Sequence, residues 1–390
     1  MKRPVRVMCV FGTRPEAIKV APVVMAGRYR CDLEVIACST GQHREMLDQV
    51  TDYFGVRPDI DLGLMQPGQT LTGLASRCLA GLQEAIEKFA PDCILGQGDT
   101  TTAMCAGMAA FFHQLPFVHV EAGLRTDDIR SPFPEEFNRR VCSLATAIHC
   151  APTRAAAENL WQEGYSQDDV IVTGNTVIDA LRYAVERERL DSVKWIEKHP
   201  DLAEGRVVLV TAHRRENHGA GIRSLCRAIR TLSDRFPTVR FVYPVHLNPQ
   251  IHGPVHEQLS GLPNVSLIPP ADYPEFVWLM DQATLILSDS GGVQEEAPTL
   301  GKPVLVTRNS TERPEALDAG ATRLVGTDEQ RVVEETSRLL LDKDAYASMQ
   351  VEQNPYGDGQ SAARILDVIT ARLQNTTASE RSLSQKANVR

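Results

Sequence analysis

Short apolar runs with the character of β-strands alternate with helical patterns along most of the chain, and no other feature constrains the fold more strongly. The first half carries the runs Val5–Phe11, Leu33–Ala37, Cys93–Leu95, Phe117–Val120, Ile148–Cys150 and Val170–Val172. The second half repeats the pattern with Val207–Thr211, Arg240–Val245, Val265–Ile268, Leu285–Ser288, Val304–Val306 and Arg323–Val325. Because strands that alternate with helices pair in parallel, we predict an α/β protein with two doubly wound parallel-sheet domains. Each domain is expected to bind its ligand at the carboxyl ends of its strands.

A charged helical connector that begins at residue 186 separates the two halves of this pattern. We therefore predict a first domain at 1–185 and a second domain at 186–355. A last helix, Ala362–Leu373, lies within 356–375 and is expected to cross back to the first domain. Residues 376–390 are polar and are predicted to form a disordered tail.

The composition argues against several classes of protein. The net charge of −9, without a basic cluster, argues against binding to nucleic acid or to an anionic membrane surface. No apolar run reaches the length of a membrane helix. The 9 cysteines are scattered without a C-x-x-C pair, so we expect buried thiols in a reducing cytoplasm. His246, His252 and His256 do not share one helical face, so we predict no metal site.

A glycine-containing turn after the strand Leu285–Ser288 has the form of an anion site. Ser290, Gly291 and Gly292 lead directly into a helix, whose first N–H groups and positive dipole end attract phosphate. Arg313 follows just before a second helix, where its guanidinium can hold the same anion in a bidentate manner. Tight packing alone is the alternative explanation of the turn. The downstream arginine favours a site for a nucleotide diphosphate.

Carboxylates also stand at the predicted strand ends of the first domain. Asp99 and Glu121 each follow a strand, and Glu135 and Glu136 open a helix. Helix capping is the alternative role for Asp99, and pairing with the helix dipole is the alternative for the two adjacent glutamates. Glu121 has no capping role. An acid and base cluster is therefore the favoured interpretation of these residues.

Further residues at strand exits complete the candidate site. Arg14 and Lys19 flank the first helical turn after the first strand, where they can meet an anion, with solvated helix charges as the alternative. His213 follows the strand Val207–Thr211 and is suited to proton exchange near neutral pH. Phe276 can stack on a base, with core packing as the alternative. No G-x-G-x-x-G fingerprint follows a strand, which argues against nicotinamide chemistry.

These segments, taken together, resemble those of one enzyme family. The motifs FGTRPEAIK, GDTTTA, HVEAGLRT, TAHRREN, SDSGGVQEEAP and TERPEA occur in order, and the likeness covers residues 5–370. On these motifs the chain resembles the non-hydrolysing UDP-N-acetylglucosamine 2-epimerases. The resemblance implies two Rossmann-like domains in the glycosyltransferase-B arrangement, an interdomain cleft that holds a UDP-sugar, and a homodimer.

The resemblance also implies roles for individual residues. The catalytic candidates are Asp99, Glu121, Glu135 and His213. The residues implied to hold the nucleotide sugar are Arg14, Lys19, Ala271, Phe276, Ser290, Gly291, Gly292, Glu296 and Arg313. The chain departs from common members at Gln97, where a histidine is frequent, and at Ala271, where a glutamine that contacts uracil is frequent.

The implied reaction interconverts UDP-N-acetylglucosamine and UDP-N-acetylmannosamine by inversion at carbon 2. UDP leaves and re-adds through a 2-acetamidoglucal intermediate, no cofactor is needed, and the product is expected to supply a bacterial surface polysaccharide or exopolysaccharide. Two other classes share parts of the pattern. A glycosyltransferase of the same architecture keeps the nucleotide half, and a sugar-nucleotide sensor binds without catalysis. Neither class needs the carboxylate cluster.

The resemblance finally implies a regulatory site. In bacterial relatives a second UDP-N-acetylglucosamine binds beside the active site and is needed for the reverse reaction. The matching positions in this chain are Gln42, His43, Gln69, Glu136, Arg214 and His246. Gly68 stands where some relatives carry an arginine.

Overall fold

The computed structural model describes residues 3–41, 44–66, 68–126, 128–202 and 205–387, without the side chains of 44–46 and 375–387. Contacts divide the chain into two compact units. The first unit holds Met1–Ala180 and Gly359–Arg390, and the second holds Leu181–Asp358. The end of the chain therefore groups with the first unit. The units divide at 180/181 and 358/359, where the domain borders expected from the sequence are 185/186 and 355/356.

The first unit is built on a parallel sheet with the strand order β3-β2-β1-β4-β5-β6-β7. Its strands are β1 Val5–Phe11, β2 Leu33–Ser39, β3 Ile60–Asp61, β4 Cys93–Gln97, β5 Phe117–Val120, β6 Thr146–Ala151 and β7 Val170–Val172. The central strands are apolar and buried on both faces because helices cover the sheet on both sides. The sequence analysis missed β3, which is too short to give a strand pattern.

Helices connect these strands in the order that the sequence alternation predicts. They are α1 Arg14–Arg28, α2 Arg44–Tyr53, α3 Leu71–Phe89, α4 Thr101–Phe112, α5 Glu135–Ala145, α6 Arg154–Gln162 and α7 Thr176–Leu190. The helix α7 runs across the border between the two units. The helix α1 begins at Arg14 because Thr13 caps it and Pro15 occupies its first turn.

The second unit repeats the design with a parallel sheet of order β10-β9-β8-β11-β12-β13. Its strands are β8 Arg206–Thr211, β9 Val239–Pro244, β10 Val265–Ile268, β11 Leu285–Ser288, β12 Val304–Val306 and β13 Thr322–Leu324. Its helices are α8 Ser192–Lys198, α9 Ala220–Arg235, α10 Pro249–Leu259, α11 Tyr273–Gln282, α12 Gly291–Glu296, α13 Pro314–Asp318, α14 Glu329–Leu341 and α15 Lys343–Ala347. The two doubly wound parallel sheets predicted from the alternation are thus confirmed.

The last helix, α16 Ser361–Ala387, packs on α1 in the first unit. Ile365, Leu366 and Ile369 are fully buried there, and the carboxylate of Asp179 accepts the N–H groups of Ser361 and Ala362 at 3.2 and 2.9 Å. The backbone stays helical up to Ala387, where the sequence analysis predicted a disordered tail from 376. Seven of the twelve residues from 376 to 387 are alanine, leucine, glutamate, glutamine, arginine or lysine, which have high helix propensity, and the other five are serine or threonine.

Two features of the described residues bear on function. In that part of the chain no helix is both long and apolar enough to span a bilayer. No group of three or more His, Cys, Asp or Glu side chains within the same residues is arranged to hold a metal ion. Of the three histidines discussed for such a site, His252 and His256 stack on each other, whereas His246 stacks against His213.

Candidate active site

The acidic residues predicted in the first unit lie at one edge of its sheet. Strands β4 and β5 are neighbours and run parallel, so Asp99 and Glu121, which follow them, emerge at the same edge. The start of α5 lies there too, because the side chain of Asn138 donates a hydrogen bond to the carbonyl oxygen of Asp99 at 2.8 Å. Glu135 opens this helix. The structure therefore brings the predicted acids to one edge of the sheet.

Glu121 is held in an unusual conformation at the exit of β5. Its φ of 64° lies in the left-handed region, which non-glycine residues seldom adopt and which costs about 1–3 kcal/mol. Its side chain is 7% exposed, and Oε2 accepts from Nζ of Lys19 at 2.5 Å and from Nε2 of Gln97 at 2.7 Å. No hydrogen bond from the described residues reaches Oε1. One carboxylate oxygen is thus anchored, and the other is left for a reacting group.

Asp99 does not have the capping role that was its alternative. The N-cap of α4 is Thr100, whose hydroxyl accepts the N–H of Ala103 at 3.0 Å. The Asp99 carboxylate instead pairs with Arg139 of α5, with 2.6 Å between Oδ2 and Nη2. A guanidinium therefore fixes the orientation of this acid at the sheet edge.

Glu135 and Glu136 differ sharply, although both stand in the first turn of α5. Glu136 is fully buried and pairs with Arg139 at 3.1 Å and with Arg140 at 2.8 Å, and it also accepts the N–H of Thr126 at 3.2 Å. Glu135 has a buried oxygen, Oε2, with no hydrogen-bond partner among the described residues. A buried acceptor without a partner is costly and suits a position that meets a proton or a substrate group. The geometry therefore favours Glu135 as the functional acid of the two.

Glu16 is a supporting residue of this edge that the sequence analysis did not assign. It is buried in the first turn of α1, and Oε2 accepts the N–H of Thr13 at 2.8 Å and that of Gly12 at 3.1 Å. Its Oε1 accepts the hydroxyl of Thr100 at 2.5 Å, which ties the start of α1 to the start of α4. Burial raises the pKa of Glu16, and these hydrogen bonds oppose the rise. The T-x-x-E pattern at 13–16 is a capping-box signature that could have revealed it.

The remaining predicted residues of the first unit have mixed placements. Arg14 is exposed at the start of α1, whereas Lys19 is mostly buried against Glu121. Lys19 therefore belongs to the acid cluster, and Arg14 is open to a ligand. The side-chain oxygen of Gln69 accepts hydrogen bonds from the main-chain N–H of Gln66 at 3.2 Å and from the guanidinium of Arg77 in α3. Gln42 and His43 lie outside the described residues.

In the second unit the predicted binding residues lie at the carboxyl edge of its sheet. His213 follows β8 with a side chain that is 43% exposed, and its ring stacks against His246 with 6.0 Å between centroids. Burial of the ring lowers the pKa of His213, and the buried carboxylate of Asp289 behind it opposes the change. The sequence analysis quoted Asp289 only as part of a motif and gave it no role.

Two guanidinium groups meet at the glycine turn. A Cβ atom placed on Gly291 would lie 3.6 Å from Nη2 of Arg214 and 3.8 Å from Nη2 of Arg313. Nε of Arg313 donates to the buried Glu295, which fixes the direction of its guanidinium. The structure thus brings Arg214, predicted as regulatory, to the same glycine as Arg313. A bare backbone flanked by two guanidinium groups at a helix start is suited to a diphosphate.

The other predicted nucleotide residues lie along α11 and α12. Ser290 is the N-cap of α12 without a capping bond from its hydroxyl, and a Cβ on Gly292 would lie 3.9 Å from that hydroxyl and 3.8 Å from Oε2 of Glu296. The hydroxyl and the carboxylate therefore converge beside Gly292. Phe276 is partly buried in the first turns of α11, and Ala271 is partly exposed just before its N-cap. Contacts of these two residues with a base stay predictions.

Comparison with known proteins identifies one family. A family model described as UDP-N-acetylglucosamine 2-epimerase matches residues 26–370. The chain is 50% identical over 368 residues to the UDP-N-acetylglucosamine 2-epimerase of Salmonella typhimurium, with 93% of this chain and 98% of the relative covered. It is 48% identical over 369 residues to that of Escherichia coli K12, with the same coverage of 93% and 98%. A crystal structure of the Neisseria meningitidis UDP-GlcNAc 2-epimerase bound to UDP-GlcNAc is similar, with a TM-score of 0.86, 46% identity, and 94% and 99% of the two chains covered.

Proposed function

Because the chain belongs to the UDP-N-acetylglucosamine 2-epimerase family and is therefore an isomerase, we propose that it interconverts UDP-N-acetylglucosamine and UDP-N-acetylmannosamine. The observation that carries the proposal is the group of acids at the exits of β4 and β5 and at the start of α5. Glu121 offers an oxygen that no described residue binds, and Glu135 has a buried oxygen without a partner. An inversion needs such groups, because it removes a proton from one face of a carbon and returns one to the other face.

The proposed reaction proceeds by elimination and re-addition. A carboxylate takes the proton from carbon 2 while the bond between carbon 1 and the diphosphate oxygen breaks, and its electron pair leaves with UDP. A carbon 1–carbon 2 double bond remains, which is the 2-acetamidoglucal intermediate. UDP then re-adds at carbon 1, and a different acid delivers a proton to the opposite face of carbon 2. Asp99, Glu121 and Glu135 are the proposed proton carriers, and the reaction needs no cofactor.

The residues of the second unit stabilise the leaving group in this proposal. The diphosphate accepts from Arg214 and Arg313 and from the N–H groups at the start of α12, next to Ser290 and Gly291. Groups that are already oriented toward the developing charge lower the barrier without moving during the reaction. The fixed direction of the Arg313 guanidinium against Glu295 supports this role.

Deuterium incorporation tests the proposal. The purified chain is incubated in deuterated water with UDP-N-acetylglucosamine and no acceptor, and the nucleotide sugars are examined by mass spectrometry and NMR. We expect one deuterium at carbon 2 and the appearance of UDP-N-acetylmannosamine. A glycosyltransferase or a sensor of the same fold would leave carbon 2 unlabelled, and that outcome would overturn the proposal.

A homodimer and a regulatory site are part of the same proposal. Phe111 and Phe112 at the end of α4 are each 66% exposed, and Leu144 at the end of the adjacent α5 is 80% exposed. Such an apolar surface suits a second copy of the chain, and sedimentation analysis tests it.

The regulatory site predicts that pure UDP-N-acetylmannosamine is converted after a lag, which a trace of UDP-N-acetylglucosamine removes. Prompt conversion without a lag would contradict it.

The cell compartment and the use of the product complete the proposal. The described cysteines are free thiols, and all of them except Cys31 are buried. This pattern supports a reducing compartment, the cytoplasm. There the product would be a precursor for a surface polysaccharide. Loss of that polysaccharide on deletion of the gene is the expected result, and an unchanged cell surface would contradict it.

A further inference from the structure

A buried carboxylate behind His213 holds the whole segment that follows β8. Asp289 directly follows β11 and has no exposed surface. Its Oδ2 accepts the main-chain N–H groups of His213 and Arg214, each at 2.9 Å, and the side-chain amide of Asn217 at 3.0 Å. Its Oδ1 lies 3.1 Å from the same N of His213 and 3.5 Å from the ring nitrogen Nδ1. One acid thus contacts both the main chain and the ring of a predicted catalytic residue.

The same segment is tied to neighbouring strand ends. The amide of Asn217 also donates to the carbonyl oxygen of Thr307, just beyond β12, at 3.1 Å. The hydroxyl of Tyr243 in β9 donates to the carbonyl oxygen of Ala212 at 3.1 Å. The main-chain N–H of Asp289 donates to Thr211 at 3.1 Å. Because these bonds come from three strands, the backbone under His213 has little freedom to move.

The ring of His213 has one covered edge and one open edge. Nδ1 faces Asp289, so Nε2 lies on the far side of the ring, and the side chain keeps 43% of its surface exposed. The charged and titratable groups that face the ring are Asp289, Arg214 and His246. A carboxylate beside Nδ1 favours the ring orientation in which Nε2 points away from it. The arrangement is that of an acid that orients an imidazole for proton exchange.

We propose that Asp289 is a positioning residue for epimerisation, which directs Nε2 of His213 toward the leaving diphosphate. In the imidazolium form of His213, the proton on Nε2 passes to a diphosphate oxygen as the bond between that oxygen and carbon 1 breaks, which leaves a neutral ring with its remaining proton on Nδ1. The proton returns to Nε2 as that bond forms again. Asp289 touches neither substrate nor reacting atom and acts through His213. The inference rests on the proposed function, since it concerns the same reaction.

A double-mutant cycle separates this role from a purely structural one. Asp289→Asn keeps the size of the side chain, and we expect kcat to fall about 10- to 100-fold, which lies within the range to which the coupling energies of contacting residues convert. KM should change less than kcat. In a His213→Ala background the same Asp289→Asn change should have almost no further effect, because the residue through which it acts is gone. An equal loss in both backgrounds would overturn the proposal.

A pH profile gives a second measure, and a nearby residue gives the control. Removal of the Asp289 charge lowers the pKa of His213 further, so the alkaline limb of the kcat profile should move to lower pH in Asp289→Asn. Thr211→Val removes the buried bond between the hydroxyls of Thr211 and Ser288 at 2.7 Å and leaves Asp289 in place. It should leave the alkaline limb at its wild-type pH, and a shift equal to that of Asp289→Asn would count against the proposal. A wild-type enzyme without carbon 2 labelling would instead defeat the proposed function.

Discussion

At the carboxyl edge of each sheet, the candidate residues are of one charge type and residues of the opposite type hold them. In the first unit the residues that we assign to the reaction are acids, and basic or amide groups hold them: Lys19 and Gln97 bind Glu121, and Arg139 binds Asp99. In the second unit the assigned residues are basic, and buried acids hold them. Glu295 binds Arg313, and Asp289 contacts His213.

This comparison shows that Asp99, Glu121, His213 and Arg313 each lie against an ionisable partner of the opposite type, which restricts the direction of the side chain. A flexible acid or guanidinium would have to be ordered during the reaction, and that ordering would raise the barrier. A partner that is already in place removes this cost before substrate binds. The two edges therefore differ in the charge of their candidate residues and agree in how that charge is supported.

The largest expected effect is on the acids of the first unit. Glu121→Gln keeps both anchoring contacts within reach but removes the ability to carry a proton, so we expect kcat to fall about 10²- to 10⁴-fold. Asp99→Asn and Glu135→Gln should change kcat in the same direction. Deuterium incorporation at carbon 2 measures the loss, and calorimetry should show wild-type affinity for UDP. Glu34→Gln, which alters an exposed pair with Arg6, is the control that should keep full activity.

Deuterium incorporation at carbon 2 at the wild-type rate in the Glu121→Gln enzyme would contradict the role that we assign to the acids of the first unit. The acids at that edge would then be part of an ion-pair network that stabilises the fold. Their supporting cations would have no bearing on catalysis.

The second effect concerns the basic edge. Arg313→Ala should weaken UDP binding by about 1.5–3 kcal/mol, because a charge-assisted contact is lost. It should also lower the melting temperature, since the buried Glu295 would lose its ion pair with Arg313. Adding Glu295→Gln removes the charge that this pair balanced, so the double variant should regain stability but not affinity. Recovered affinity in the double variant would mean that Arg313 acts on UDP only by neutralising Glu295.

The smallest effect is a pH dependence of stability near this edge. The Arg308 guanidinium holds the pKa of Glu312 at about 2, below its ordinary value of 4.5. The folded state therefore binds fewer protons, and the resulting stability is present above pH 4.5 and lost as the pH falls toward 2. Above pH 4.5 the Glu312→Gln variant should have a lower melting temperature than the wild type, and toward pH 2 the two melting temperatures should converge. The control is Glu329→Gln, which removes a carboxylate from an exposed pair with Arg227 and should give the wild-type dependence of melting temperature on pH. The same dependence in both variants would contradict the contribution that we assign to Glu312.

The sequence points to the candidate residues themselves more readily than to the residues that support them. Glu121, His213 and Arg313 stand at strand exits or before helices, and such positions are visible in a local pattern. Their supporting residues are distant in sequence: Lys19 is 102 residues from Glu121, and Asp289 is 76 residues from the N–H group of His213 that it accepts. A pairing of that kind depends on strand order, which a single sequence does not display.

The same reasoning explains what the sequence predicts well in the fold. The central strands are buried on both faces, and their continuous apolar runs mark them clearly. The strand Ile60–Asp61 leaves no such run and was missed. The choice between Glu135 and Glu136 also needed the structure, since only the contacts with Arg139 and Arg140 show which of the two acids is already engaged.

The placement of α16 has a consequence for how the protein is made. A ribosome releases residues 181–358 before it releases 359–387, so the second unit can fold as soon as it emerges, while the first unit still lacks its last helix. Until then the surface of α1 that Ile365, Leu366 and Ile369 cover is exposed. Although its first strand leaves the ribosome earliest, the unit that carries the acids is the last to be completed during synthesis.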